Sequence, residues 1–126
     1  MRTWLLGFLA AAVLVAACGG TPVGLRTATA KVDACDEALL AGELVASNQS
    51  GLAVRNADQA AEHVTEVLWP FGYSATRENN RLVLRDETGK ILVHEGQRAQ
   101  MAGGLSANGV WAACAGTIQE VSNTGG

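Results

Sequence analysis

"RLVLRDETGKILVHEG", residues 81–96, is the stretch on which the fold turns. Leu82 and Leu84 on one side, and Ile91 and Val93 on the other, are apolar at alternate positions and flank Glu87-Thr88-Gly89-Lys90. Period-two apolar spacing on both sides of a glycine-containing turn predicts a β-hairpin. Asn79-Asn80 just upstream predicts another turn.

Working outward, "QRAQMAGG" at 97–104 predicts a further strand ended by Gly103-Gly104 and the loop "LSANG". "VWAACAGTIQEV" at 110–121 supplies one or two closing strands. Upstream, 41–47 predicts a first strand, "NQSG" a turn and "LAVR" at 52–55 the returning strand. "DACDEALLAGEL", from Asp33 to Leu44, has early acids and later leucines that suit a turn or short helix leading into that first strand. Around 58–70 two periods compete: Ala60, Ala61 and Val64 after an Asp58 cap suit a helical turn, whereas Thr65, Val67 and Trp69 alternate as in a strand entering near Val64. Five or six short strands at this spacing predict a mainly β domain, a small β-barrel or sandwich, with a possible short helix.

The N-terminus sets the location. Arg2 precedes an apolar run from Trp4 to Val15 and then small residues, the layout of a secretory signal peptide, too short for a membrane span. Val15-Ala16-Ala17-Cys18 resembles a bacterial lipobox, which implies cleavage after residue 17 and a lipid on Cys18. The expected organisation is therefore a leader at 1–17, a lipidated cysteine and flexible tether at 18–31, one barrel domain at 32–121 and a frayed tail at 122–126. A small, polar, aperiodic tether of that length has an r.m.s. reach on the order of 20 Å.

Cleavage would leave 109 of the 126 residues, and loss of Arg2 takes the formal charge from −3 to −4. That sign offers no attraction to nucleic-acid phosphates, and there is no polybasic run for anionic lipid. Seven arginines against two lysines, with much Ala and Gly, suit a high-GC genome. Setting Cys18 aside leaves Cys35 and Cys114, an even pair that outside the cytoplasm points to a disulfide. Closing so long a loop stabilises by about 4 kcal/mol in the chain-entropy picture.

The strand pattern, with "LWPFGYSA" at 68–75, the hairpin, the Glu95-Gly96-Gln97 turn and the late cysteine, resembles a group of actinobacterial lipoproteins with a small OB-like barrel. The resemblance spans roughly residues 35–118 and implies a small OB-like five-stranded β-barrel and an envelope location, with no activity to transfer.

Chemistry is sparse. His63 and His94 lack the companions of a zinc site, and "ETGK" lacks the upstream glycine of a phosphate loop. No Gly-x-Ser-x-Gly turn is present, so no enzyme, cofactor or metal is expected. The remaining candidates are aromatic. If 69–73 is extended, Trp69, Phe71 and Tyr73 share one face, opposite Pro70 and Gly72. They then build the core or line the barrel mouth, with Arg81 and Arg85 as a polar rim. The expected function is a lipid-anchored, non-enzymatic binding or interaction module on the extracytoplasmic face of the cell membrane, its partner another envelope protein or a cell-wall ligand. The alternative is a small-ligand or metal carrier using the aromatic mouth.

Overall fold

The computed structural model describes residues 20–56 and 63–122. Ten strands and no helix make up the described residues: β1 (Thr21–Val23), β2 (Ala38–Ser47), β3 (Gly51–Asn56), β4 (His63–Leu68), β5 (Ser74–Glu78), β6 (Arg81–Arg85), β7 (Ile91–His94), β8 (Arg98–Leu105), β9 (Trp111–Ala113) and β10 (Gln119–Val121).

Five of them close into a barrel. β2, β3 and β4 form an antiparallel meander, β4 pairs in parallel with β9, and β9 and β2 both pair with β8, so the ring β8-β2-β3-β4-β9 returns on itself. A five-stranded closed barrel of this kind, with β10 added at the outer edge of β8, is OB-like. Closure leaves no free edge around the ring.

The hairpin at 81–96 forms as expected but stands outside the barrel. With β1 and β5 it makes a second antiparallel sheet, β1-β5-β6-β7, whose strands β5 to β7 lie between β4 and β8 in sequence. Asn79 and Asn80 both take positive φ, 50° and 64°, which gives the two-residue turn that matches strand twist. At the other end Gly89 (φ 88°) completes the turn opened by Asp86, and the register shifts by a bulge near Arg85. Leu82, Val83 and Leu84 are all buried, so β6 is covered on both faces.

One core joins the two sheets. Leu44, Leu52, Val54, Val67 and Met101 from the barrel pack with Ala75, Leu82, Leu84 and Val93 from the small sheet, around Trp69. A disulfide joins Cys35 to Cys114, with 5.8 Å between their Cα atoms, and clamps the approach to β2 against the end of β9.

Two expectations need correction. The short helix at Asp33–Leu44 is absent: its second half is β2, where Leu40, Gly42 and Leu44 turn inward at period two. Pairing with β3 and β8 on either side overrides the helical propensity of the alanines and leucines. Gly42 is required there, since a Cβ would lie 2.4 Å from the Arg55 carbonyl oxygen. The other candidate helical turn, at Asp58–Ala61, falls outside the described residues. The second correction concerns the tether. Thr21–Val23 pairs with β5, Arg26 N donates to Ser50 O, and Trp69 N donates to Arg26 O. Residues 20–28 thus belong to the domain, because exposed backbone of β5 and of the Trp69 segment offers them partners. The leader, Cys18 and the last four residues lie outside the described residues.

Candidate functional site

"LWPFGYSA" does not run straight. Tyr73 N donates to Pro70 O at 3.2 Å across a turn whose third residue, Gly72, has φ 82°, as a type II turn requires. The turn separates the three rings. Trp69 is fully buried and its Nε1 donates to Leu52 O at 3.0 Å. Tyr73 is buried too, its hydroxyl accepting from Gly116 N at 3.2 Å. Burial pushes the Tyr73 hydroxyl above its ordinary pKa, the Gly116 contact opposes this, and the charges of Glu87 and Asp86 add to the rise. Phe71, at the corner, points away and is 45% exposed. The shared aromatic face expected from alternation is therefore not formed: two rings are core and one is surface.

Phe71 stands at the rim of a cleft of about 550 Å³, within the size range of ligand sites. The cleft lies between the 28–36 segment and the barrel end. Its floor is the Cys35–Cys114 disulfide with Leu68, Trp69 and Ala112. Val32, 72% exposed, and Phe71 form apolar walls, while Asp33, Asp36 and Glu87 supply three carboxylates against one lysine, Lys31. Gly104 makes the passage of the 28–36 segment possible, since a Cβ there would meet the Asp36 carboxylate at 2.3 Å. An apolar wall ringed by net negative charge suits a group that is apolar at one end and cationic at the other.

Neither predicted arginine lines this cleft. Arg85 is used internally: its Nη1 donates to Gly89 O at 2.7 Å, its Nε to Thr76 Oγ1 at 3.2 Å, and its Nη2 pairs with Glu78. Arg81 lies at the opposite end of β6, exposed. The polar rim expected from them is not assembled. Sequence reasoning missed the acids of the cleft because they come from two segments far apart in the chain, Asp33 and Asp36 from one and Glu87 from the other.

The other candidate groups are occupied structurally. Ser47 donates to Glu66 at 2.6 and 2.8 Å and Ser50 contacts the same carboxylate, pinning the β2–β3 turn to β4. His94 Nδ1 lies 3.3 Å from Glu120, linking β7 to β10. Among the described residues no three His, Cys, Asp or Glu side chains gather as a metal site. Asp86 organises the β6–β7 turn: its carboxylate accepts from Thr88 Oγ1 at 2.6 Å, Thr88 N at 2.9 Å and Lys90 N at 3.1 Å. The Thr88 hydroxyl is the largest cause of a pKa below the ordinary aspartate value. No family model matches the chain, and neither a curated protein nor a solved structure matches it.

Proposed function

We propose that the chain is a lipid-anchored envelope protein whose OB-like barrel serves as a non-enzymatic binding module on the extracytoplasmic face of the membrane. The leader and lipobox-like Val15-Ala16-Ala17-Cys18 support the location. The observation that carries the binding reading is the cleft itself: an exposed Phe71 held by a tight turn over a disulfide floor, with Asp33, Asp36 and Glu87 around it. A small domain gains stability by burying its rings, so a phenylalanine kept outside beside an open cleft supports use in contact.

The partner that fits is a segment of another envelope protein, or a cell-wall peptide, bearing an apolar group and a positive charge. The small-ligand carrier is the second reading, favoured by the cleft's volume alone.

Two measurements test the proposal. The intact mass and detergent partitioning of the protein from a bacterial host should show a diacylglyceryl group that Cys18→Ala removes. Amide-shift titration with short cationic, apolar peptides and with peptidoglycan stem peptides should then perturb residues around Phe71 and Glu87. Phe71→Ala should weaken the response about tenfold, the loss of roughly 1.4 kcal/mol. Shifts confined to another surface, or an unmodified Cys18, would oppose the reading.

A further inference from the structure

The docked N-terminal segment fixes more than stability. Only Gly19 and Gly20 separate Cys18 from Thr21, the first residue of β1. Three residues of extended chain span at most about 11 Å. A lipid on Cys18 would therefore be short-tethered to a strand whose direction is set. β1 runs antiparallel to β5 with Thr21 opposite Arg77 and Val23 opposite Ala75. Gly20 continues along that edge, so close that a Cβ would lie 2.5 Å from the Arg77 carbonyl oxygen. At Gly20 the chain lies beside Glu78, at the Asn79–Asn80 end of the small sheet.

That end of the small sheet carries exposed Arg77 and Arg81 beside exposed Asn79 and Asn80. Glu78 pairs with Arg85, and Glu95, which accepts from Leu82 N at 2.8 Å, keeps its charge, so the two arginines outnumber it two to one. Two guanidinium groups at the point where an acyl anchor enters complement anionic headgroups. The cleft lies at the other end. β6 rises about 3.3 Å per residue from Arg81 to Arg85, on the order of 13 Å, before reaching the turn whose Glu87 lines the cleft.

We propose that the anchored protein has a fixed stance: the Asn79–Asn80 end of the small sheet, with Arg77 and Arg81, rests on an anionic lipid surface, and the Phe71 cleft faces away from the membrane. This rests on the lipidation of Cys18 proposed above, and it replaces a domain swinging on a long leash by one held at a set angle.

The test uses the full chain processed in a bacterial host, its disulfide intact and its lipid verified by mass. An environment-sensitive fluorophore is placed at Asn80→Cys in one sample and at Lys90→Cys in another. Each is reconstituted into vesicles of phosphatidylglycerol and phosphatidylcholine containing nitroxide-labelled lipid. The Asn80 reporter should be quenched at least threefold more than the Lys90 reporter. A ten-residue Gly-Ser insertion between Gly19 and Gly20 should erase the difference while keeping the lipid, and Arg77→Gln with Arg81→Gln should reduce it. Should Asn80→Cys, at positive φ, fail to fold, Glu78→Cys, next to the turn on ordinary strand backbone, takes its place. Equal quenching at the two positions in protein shown to carry the lipid overturns the stance and leaves lipidation standing. A mass without the lipid overturns both.

Discussion

Trp69 Nε1 donates to the Leu52 carbonyl at 3.0 Å, tying the exit of β4 to β3 in the middle of the core. Trp111 Nε1 is also buried, yet it has no hydrogen-bond partner among the described residues. The two indoles therefore differ in what a phenylalanine would cost. Trp69→Phe loses packing and orphans an interaction, for about 2–4 kcal/mol. Trp111→Phe loses packing but removes a donor that was already unsatisfied, for roughly 1–2 kcal/mol. Urea unfolding of the two variants should give that order, and the reverse order would mean that Trp111 meets a partner in solution.

Most of the strands were legible because their signals are local. Turn residues at Asn48–Gly51, Asn79–Asn80, Glu87–Lys90 and Glu95–Gln97 punctuate runs whose apolar positions alternate. The pair Cys35 and Cys114 was legible from counting alone. What was not legible depended on neighbours distant in sequence. Nothing in "TPVGLRTA" signals that it will pair with β5 and with Trp69, because its composition is that of a linker and its partners lie some fifty residues away. The fate of Phe71 was likewise hidden: alternation placed it with Trp69 and Tyr73, and only the turn at Gly72 sends it outward. The acids of the cleft come together through the passage of the 28–36 segment over Gly104, a contact with no sequence signature.

Docking of the N-terminal segment depends on Gly51. Its φ is 83°, and a Cβ there would lie 2.2 Å from the Gly24 carbonyl oxygen. Gly89 has a similar φ, 88°, with open space around it. Gly89→Ala should cost about 1 kcal/mol of backbone strain alone. Gly51→Ala should cost more and should displace residues 24–28, exposing Arg26 to trypsin. Limited proteolysis at Arg26 that is equal in the two variants would contradict the tight approach.

Stability should fall at both ends of the pH scale for separable reasons. Tyr73 has a folded pKa above its ordinary 10.0, so its contribution is complete below that value and lost as the pH rises through the raised one. Tyr73→Phe should abolish this alkaline limb. Asp86 has a folded pKa below its ordinary 3.8, so its contribution holds above that value and is lost as the pH falls through the lowered one. Carboxyl-carbon NMR titration should show the Asp86 pKa rising in Thr88→Val, since the Thr88 hydroxyl is the main cause of the depression.

The disulfide should govern both stability and the cleft. Cys35 and Cys114 are 79 residues apart in sequence, and constraining so long a loop in the unfolded chain stabilises by about 4 kcal/mol. For a domain of this size that corresponds to a fall in Tm of roughly 15–30 °C when both cysteines become serine. The same bond forms the floor of the cleft and fixes the 28–36 segment that forms one wall. Mild reduction below the melting transition should therefore accelerate amide exchange at Asp36 and Cys114 before it affects β3 or β6, whose amides lie in the shared core. Any peptide binding near Phe71 should weaken in parallel. Uniform loss of protection would instead mean that the disulfide acts only through global stability, with the cleft wall held by its packing against Gly104.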